Sequence, residues 1–385
     1  MSEWVECTIS DIGTVVGGAT PSTKKSENYV DGKIAWITPK DLSTFKGRYI
    51  VSGERNITES GLKSCSTKLL PKNTVLFSSR APIGYIAIAA NDLCTNQGFK
   101  SVIPNENTDP LFLYYLLKFN KDKIESMGSG TTFKEISAKV MKSIKVFVPI
   151  SKSMQKNIAS ILGAIDNKIE LNNSINNNLE QQVQAIFKSW FIDFEPFNNR
   201  KPSDWSVSTL GNVSIMGAGG DKPQNVFSMK TDLYEYPIYS NGLSNEGLYG
   251  FTDKPKISEE SVTVSARGTI GFVCLRHIPY VPIVRLVTLI PKAEIISAKY
   301  LYLWLKQLHI TGTGTTQQQL TVPDFQKTEI LVPSQEIVTL FTTTVEPIFE
   351  KIWANQNENE KLSSLRDTLL PKLMSGELDV SDIEL

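Results

Sequence analysis

The sequence has few cysteines and no long hydrophobic run. Its 385 residues include four cysteines, namely Cys7, Cys65, Cys94 and Cys274. No two of them form a C-x-x-C pair, so the pattern indicates neither a zinc site nor a disulfide framework, and we expect reduced thiols in a cytoplasmic protein. No stretch of about 18 apolar residues suggests a membrane-spanning helix. The N-terminal MSEWVECTIS lacks the basic and apolar segments of a signal sequence.

Catalytic motifs are also missing. The sequence has neither a G-x-x-x-x-G-K-[ST] loop nor a G-x-G-x-x-G between a strand and a helix. Its only histidines, His277 and His309, both lie in the second half. Nothing resembles the Asn-Pro-Pro-aromatic loop with which amino-methylating enzymes hold a flipped base. These joint absences favour binding over catalysis, so we predict no catalytic residue, no metal and no cofactor in this chain.

The formal charge of zero is unevenly distributed. Residues 1–150 hold 19 Lys and Arg against 14 Asp and Glu, and residues 200–334 hold 13 against 11. Residues 335–385 hold 4 against 10. A polyanion would therefore prefer the first two regions, whereas the acidic last region suits a protein partner or is simply a solvated face.

Two halves of the sequence resemble each other. The matching segments are WVECTISDIG (4–13) with WSVSTLG (205–211), SSRAPIGYI (78–86) with SARGTIGFV (265–273), LFLYYLLK (111–118) with KYLYLWLK (299–306), and SGTTFKEIS (129–137) with TGTTQQQLT (313–321). The offset falls from 201 to 187 and then 184, as a few loop deletions would produce. Two similar halves imply a partner that offers two sites.

Each half begins with short β-like runs and ends in a long helical pattern. The β-branched runs at 73–79, 83–90, 261–267 and 283–290 predict strands, and short helices are predicted at 111–119 and 299–308. The resulting fold class is α+β, with two similar domains and two long helices. We place the boundaries at 1–150 for the first domain, 151–199 for the first helix, 200–333 for the second domain, and 334–385 for the second helix and tail.

The two long helical patterns have apolar residues at spacings of three and four. A shift of 183 superimposes most of the apolar positions of the first pattern on those of the second. Such a seam indicates an antiparallel coiled coil, and about 40 residues in each helix would span about 60 Å. Polar positions also correspond between the two patterns, because Asn172 and Asn176 of the first become Asn355 and Asn359 of the second. These asparagines either fix the register of the helix pair or fray the helices. Pro347 should kink the second helix or delay its start.

The sequence resembles the specificity subunits of type I restriction-modification systems. The similarity is strongest in VPISKSMQKNIASILGAIDNKIE (148–170), LEQQVQAIFKSWFIDFEP (179–196) and LSSLRDTLLPKLMSGEL (362–378). It implies two target-recognition domains on double-stranded DNA, each reading half of a bipartite target, with two helices that set the gap. It also implies two modification subunits and two restriction subunits as partners, which would bind S-adenosylmethionine, ATP and Mg²⁺.

Two other classes of protein stay open at this point. One is an enzyme, such as a methyltransferase or nuclease fusion, with a site that no motif reveals. The other is a coiled-coil scaffold that holds two protein partners and has no salt-dependent affinity for DNA.

Comparison of the halves sorts the candidate DNA contacts. Residues present in both halves, Arg80 with Arg267 and Thr132 with Thr316, suit phosphate contacts, although an arginine in a structural ion pair is an equal alternative. Residues that differ suit base reading, unless they are ordinary surface loops. These are Thr20, Ser22, Lys24 and Lys25 against Asp221, Lys222, Gln224 and Asn225, Lys40 against Asn241, and Lys134 and Glu135 against Gln318 and Gln319.

The ends of the two helices are rich in apolar residues and suggest a surface for the modification subunits. The candidate residues are Phe187, Trp190, Phe191, Leu370, Leu373 and Met374. The alternative is that these side chains pack on the adjacent recognition domain.

Overall fold

The computed structural model describes residues 3–130, 134–312 and 319–380. Packing divides the chain into two units. The first unit comprises residues 1–174 and 355–385, and the second comprises residues 175–354. Each unit therefore contains one β-rich domain together with a segment from each of the two long helices.

The domain of the first unit is built from short strands and helices. Its strands are β1 Trp4–Thr8, β2 Gly13–Gly17, β3 Ile34–Ile37, β4 Tyr49–Ile50, β5 Arg55–Ile57, β6 Val75–Ser79, β7 Ile83–Ala89, β8 Cys94–Thr95, β9 Lys100–Pro104 and β10 Lys145–Pro149. Its helices are α1 Ile9–Ile12, α2 Pro39–Thr44, α3 Glu59–Lys63, α4 Pro110–Phe119, α5 Lys121–Ser126 and α6 Ala138–Ser143, and the long helix α7 Lys152–Phe191 follows. The sheets have the orders β2-β9-β6-β7-β4, β5-β3-β8 and β1-β10.

The second unit repeats this plan. Its strands are β11 Ser206–Thr209, β12 Ser214–Ala218, β13 Tyr236–Tyr239, β14 Leu248–Thr252, β15 Ser261–Val264, β16 Val273–Arg276, β17 Val281–Pro282, β18 Val287–Pro291 and β19 Glu329–Val332. Its helices are α8 Leu210–Val213, α9 Ala298–Gln307, α10 Val322–Phe325 and the long helix α11 Gln335–Met374. The sheets have the orders β12-β18-β15-β16, β14-β13-β17 and β11-β19.

The short helices begin where the sequence supplies a cap. The Asp109 carboxylate accepts hydrogen bonds from the backbone N–H groups of Leu111 and Phe112, and Pro110 occupies the first turn of α4. At the matching place in the second unit, the Ser297 hydroxyl accepts from the N–H of Tyr300 at the start of α9. A capped N-terminus satisfies donors that have no partner inside the helix. Both helices then bury their apolar residues under the sheet of their own domain.

One predicted strand is only half correct. The run 283–290 has the apolar, β-branched composition of a strand, but β18 begins only at Val287. Residues 283–286 form a turn, in which the N–H of Leu286 donates to the Ile283 carbonyl at 3.1 Å. Ile283 and Leu286 are both buried, so their apolar side chains anchor a turn where the composition suggested a strand.

Within each unit, the segments of α7 and α11 run antiparallel. In the first unit, Asp166 contacts Arg366 at 2.9 Å, and further along α7 the Asn172 amide contacts Asn359 at 2.9 Å. Pro347 was expected to kink α11 or delay its start, but α11 begins at Gln335 and continues past it. Pro347 and Thr343 are both exposed, so the carbonyl that lacks an N–H partner faces water.

Buried asparagines lie on the helix seam. In the first unit, Asn172 is 1% exposed and donates from Nδ2 to the Glu358 carboxylate at 2.8 Å and to Asn359 Oδ1 at 2.9 Å. Asn359 Nδ2 in turn donates to Asn173 Oδ1 at 3.0 Å. In the second unit, Asn176 Nδ2 donates to the Ile352 carbonyl at 3.2 Å. The asparagines thus pair without fraying α7, and a shift of register would bury their amides without partners.

Charged side chains fasten each domain to its helix segments. In the first unit, Arg48 is 4% exposed and its Nε donates to Glu170 of α7 at 3.0 Å. Tyr115 of α4 donates to Asp166, which also pairs with Arg366. In the second unit, Lys299 of α9 pairs with Glu346 of α11 at 2.9 Å. Because a buried charge without its partner is costly, these contacts restrict how each domain is oriented on its own helix segments.

The apolar helix ends complete the cores of the domains. Phe187 and Phe191 are at most 1% exposed in the core of the second unit, and Trp190 packs partly buried against that core. Leu370, Leu373 and Met374 are between 1% and 8% exposed in the core of the first unit. The expectation that these side chains form a partner surface is therefore corrected, because packing on the domain of the same unit buries five of them and partly buries Trp190.

The aromatic cluster around Phe191 makes a testable contribution to stability. The Phe191 ring lies 4.9 Å from the rings of Phe341 and Tyr300, measured between centroids. Phe191→Ala should lower the free energy of unfolding by about 3–5 kcal/mol, because it leaves a cavity in a packed core. The measurement is denaturant unfolding of the full chain. The matched control is Ile192→Ala, whose side chain is 41% exposed and should change stability by less than about 1 kcal/mol. Equal effects of the two variants would contradict this description of the core.

Candidate nucleic-acid interface

Three chain segments meet at one edge of the main sheet in the first unit. Strands β2 and β6 end at this edge and β9 begins there, as the pairing of Gly17 with Lys100 shows. The N–H of Ser79, at the end of β6, donates to the Gly98 carbonyl at 2.7 Å. The Ser79 carbonyl accepts from the N–H of Ile136 at 2.9 Å, which brings in the chain around 134–136. We call this arrangement the recognition edge of the first unit.

A cluster of three charged side chains lies at this edge. The carboxylate of Glu135 is 3.8 Å from Arg80 Nη1 and 3.2 Å from Lys100 Nζ. Arg80 and Glu135 are each about two-fifths exposed, whereas the Lys100 side chain is 13% exposed. Arg80 thus forms an ion pair, which is one of the two roles that the sequence suggests for it. Because its side chain is also exposed, it is accessible to a phosphate as well. Glu135 offsets two cations that would otherwise attract a polyanion.

The loop after β2 is held in place with its polar residues exposed. The Thr20 hydroxyl donates to Gln97 Oε1, and the buried Asn28 amide donates to the Ser22 carbonyl at 3.0 Å. Ser22, Lys24 and Lys25 are exposed, and Lys25 is 3.9 Å from Glu27. A fixed loop with exposed hydroxyl and ammonium groups is suited to reading base edges or phosphates. Lys134 is likewise exposed.

Lys40 lies at the first turn of α2 and not in a free loop. Its ammonium group is 2.7 Å from the Glu54 carboxylate, and this hydrogen bond raises the pKa of Lys40 above its usual value. Its proposed match with Asn241 is off by one residue. The Ile37 carbonyl accepts from the N–H of residue 96, as the Tyr239 carbonyl accepts from that of residue 283. These bonds equate Ile37 with Tyr239, so Lys40 corresponds to Gly242.

The second unit has a recognition edge of the same construction. Strands β12 and β15 end there and β18 begins there, as the pairing of Ala218 and Val264 with Val287 shows. The Ala266 carbonyl accepts from the N–H of Leu320 at 3.0 Å, just as Ser79 accepts from Ile136. This edge is the matching part of the repeat.

The arginine recurs at the second edge with a different partner. Arg267 Nη2 donates to the Gln319 amide oxygen at 3.0 Å, where Arg80 faces the Glu135 carboxylate. The residue after each arginine has a left-handed backbone, Ala81 with φ 49° and Gly268 with φ 70°. The two edges therefore share their backbone course and their arginine but differ in charge beside it.

Asn241 is structural and not a free base reader. Its Nδ2 donates to the Val284 carbonyl at 2.7 Å, and its Oδ1 accepts from the Ala266 N–H at 2.7 Å. The Asn241 side chain accepts the hydrogen bond from the N–H of Ala266, whereas in the first unit the backbone carbonyl of Gly98 accepts the one from Ser79. With both ends of the amide engaged, Asn241 holds two segments of the edge together. Lys222 and Gln224 are exposed in the loop after β12.

Some of the candidate DNA contacts fall on residues that the structure does not describe. Several other residues at the two edges are not predicted as DNA contacts from the sequence. Thr132, Thr316 and Gln318 lie outside the described residues. Lys100, Gln97, Val284 and Arg285 all belong to the edges but had no motif to mark them. The matching registers of β9 and β18 show that Gln97 and Val284 occupy equivalent positions. The amino-acid composition alone predicts a strand over 283–290 and so hides the turn.

The cysteines and histidines are dispersed. The cysteines are free thiols, and burial raises the pKa of Cys94 to about 11 and that of Cys274 to about 12. His277 stacks on Trp353 with ring centroids 4.0 Å apart. Across residues 3–130, 134–312 and 319–380, no group of three or more His, Cys, Asp or Glu side chains is arranged to hold a metal ion. In that same part of the chain, no helix is long and apolar enough to cross a membrane.

Two copies of one domain, each presenting the same edge with different side chains, define a duplicated binding protein. The family model for the type I restriction modification DNA specificity domain matches residues 1–181 and 202–363. Because these matches cover most of the sequence, the chain belongs to this family. It is a DNA-target-recognition subunit without catalysis of its own.

Similar proteins span the whole chain. The MjaIX specificity subunit of Methanocaldococcus jannaschii is 34% identical over 421 residues, which cover 99% of this chain and 95% of the relative. The HindI specificity subunit of Haemophilus influenzae is 26% identical over 474 residues, covering 98% and 100%. The crystal structure of a type I S subunit from M. genitalium has a TM-score of 0.62 at 20% identity, and it covers 99% of this chain and 97% of that one. This last likeness shows the shared fold.

The charge difference between the two edges predicts opposite effects of reciprocal substitutions. Glu135→Gln gives the first edge the neutral partner that Gln319 supplies in the second. It should raise the affinity of the full chain for DNA of unrelated sequence and steepen the slope of log K against log salt by about 1 to 2, because Arg80 and Lys100 become free for phosphates.

The matched control is Gln319→Glu, which should lower that affinity by placing a carboxylate beside Arg267. Fluorescence anisotropy at several salt concentrations measures both variants. An unchanged slope in both would show that neither arginine approaches phosphate.

Proposed function

We propose that the chain reads a bipartite DNA sequence, with one half-site for each domain and unread base pairs between them. The observation that supports this proposal most directly is the repeated recognition edge, with Arg80 and Glu135 in one unit and Arg267 and Gln319 in the other. Identical readers would select identical half-sites, whereas different donors and acceptors distinguish different base pairs. The shared arginines would supply phosphate contacts that both half-sites require.

The two long helices would set the length of the unread gap. Each has 40 residues and is about 60 Å long at 1.5 Å per residue. The buried asparagine pairs resist slippage of one helix segment along the other, which favours a spacer of defined length. In other DNA-binding proteins, the spacing of two recognition elements likewise determines the separation of half-sites.

The proposed partners are two modification subunits and two restriction subunits, which would bind S-adenosylmethionine, ATP and Mg²⁺, in the cytoplasm. The side chains first expected to contact them are buried, except for the partly buried Trp190, so we assign the docking to exposed apolar residues of the long helices. Leu171 and Leu365 in the first unit are 55% and 48% exposed, and Leu340 in the second is 53% exposed. These leucines leave apolar side chains in solvent on the outward faces of the two helices, where a partner subunit would cover them.

Exchange of one domain tests the assignment of half-sites. Replacing residues 1–150 by the matching part of a relative with a different target should change one half-site only, because the second domain and the helices are untouched. Mapping of methylated bases in cells with the modification subunits measures the result. The control carries the exchange at residues 200–333 and should change the other half-site. Altered bases in both half-sites after a single exchange would contradict the proposal.

Lengthening the helices tests the spacer. Insertion of one heptad into both α7 and α11 adds about 10 Å to each, which corresponds to about 3 base pairs of DNA. The preferred gap should lengthen while both half-sites stay the same, and a library of targets with variable gaps measures it. The control inserts the heptad into α7 alone, which breaks the match between the helices and should abolish selection. A longer pair that keeps the original gap would rule out the spacer role.

A further inference from the structure

The turn between β17 and β18 of the second unit has an unusual backbone. Val284 and Arg285 are consecutive residues with φ of 52° and 59°, in the left-handed region that favours glycine. A β-branched valine in this conformation is a strong outlier, and such strain persists only where the surrounding structure enforces it. Strained backbone is concentrated at functional sites, so this turn is a candidate for a role beyond connecting two strands.

Hydrogen bonds from the neighbouring loop enforce the strained turn. The N–H of Val284 donates to the Gly220 carbonyl at 2.9 Å, and the N–H of Arg285 donates to the Gly219 carbonyl at 2.8 Å. A Cβ atom on Gly219 would lie 2.7 Å from the backbone nitrogen of Ile283, so this close approach requires glycine. The turn is therefore fixed to the loop that continues into Asp221 and Lys222.

The Asn241 amide ties the same turn to the arginine of the edge. It donates to the Val284 carbonyl at 2.7 Å and accepts from the N–H of Ala266, the residue before Arg267. The turn consequently lies at the recognition edge, next to the arginine that recurs in both units.

The two side chains of the turn are available to a ligand. Val284 is 49% exposed, and Arg285 is exposed as well. Among the residues that the structure describes, none forms a hydrogen bond or ion pair with the Arg285 guanidinium. An exposed cation and an exposed apolar group thus project side by side from a rigid turn, which is the arrangement that a binding site on a fixed scaffold requires.

The first unit has different residues at the same two positions. Gly17 pairs with Lys100 as Ala218 pairs with Val287, so Val284 corresponds to Gln97 and Arg285 to Gly98. Gln97 is exposed and its amide oxygen accepts from the Thr20 hydroxyl. The turn therefore differs in chemistry between the units while its position is the same, which is what two different half-sites need.

We propose that Arg285 and Val284 read bases of the second half-site in the major groove. The Arg285 guanidinium would donate to O6 and N7 of a guanine, and the Val284 side chain would contact the methyl group of a thymine. This inference rests on the proposed function and adds the residues that determine specificity in the second domain. At the equivalent turn of the first unit, the Gln97 amide would read an adenine.

Two substitutions at Arg285 separate a base contact from other roles. Arg285→Gly removes the side chain, relieves the left-handed strain and introduces the residue that the first unit has at Gly98. It should leave the melting temperature of the chain unchanged or raise it. Arg285→Lys keeps the charge but loses the two-pronged donor geometry that guanine requires.

The assay is methylation by the chain in complex with its modification subunits, on target libraries randomised in each half-site. Both variants should reduce discrimination about 10- to 100-fold at one base pair of the second half-site, with the first half-site and the gap unchanged. Lys292→Ala is the matched control, because Lys292 follows the opposite end of β18 and should alter neither half-site.

The alternative outcomes are distinct. A uniform loss of affinity that Arg285→Lys restores would show a phosphate contact and overturn the inference. Unchanged discrimination in both variants, with a bipartite target for the unaltered chain, would overturn the inference but leave the proposed function intact. A target for the unaltered chain that is not bipartite would overturn the proposed function itself.

Discussion

Each recognition domain shares its hydrophobic core with segments of the two long helices. In the first unit, Leu373 and Met374 from the end of α11 lie in the same core as the domain residues Phe112 and Tyr115. In the second, Phe187 and Phe191 of α7 complete the core around Tyr300. A domain that has lost its helix segment would expose part of its core. The helices are therefore structural parts of the recognition domains as well as the proposed spacers. The ion pair of the buried Lys299 with Glu346 restricts the orientation of the second domain on its helix segments.

The two copies of the domain share one set of structural features and differ in the side chains that line their recognition edges. The Ser79 carbonyl accepts a hydrogen bond from the N–H of Ile136, and the Ala266 carbonyl accepts one from Leu320 in the same way. An arginine follows each of these residues, Arg80 in one unit and Arg267 in the other. The units differ in the groups beside these arginines and in the turn that holds Gln97 in one unit and Val284 in the other. Keeping the order of the strands at the edge while varying its side chains and this turn allows one fold to present two patterns of donors and acceptors to DNA.

Much of this organisation follows from the sequence, because long periodic patterns and internal repeats are strong signals. The two long helices, the short helices α4 and α9, the matched arginines and the family were all predicted. The errors have physical causes. Apolar helix ends look the same whether they face a partner or the domain of the same chain, so Phe187 and Leu373 were misassigned as a partner surface. Residues 283–286 have the composition of a strand because buried Ile283 and Leu286 anchor a turn. The structural role of Asn241 is not apparent from the sequence, because its hydrogen-bond partners Val284 and Ala266 lie far from it along the chain.

The central claim is that this chain selects a bipartite DNA target. Mapping of methylated bases in cells that carry the chain together with the proposed modification and restriction subunits tests this selection. The expected result is a motif of two short specific halves separated by a fixed number of unread base pairs, and this motif should disappear when the chain is deleted. A single uninterrupted motif, or methylation that persists unchanged without the chain, would contradict it.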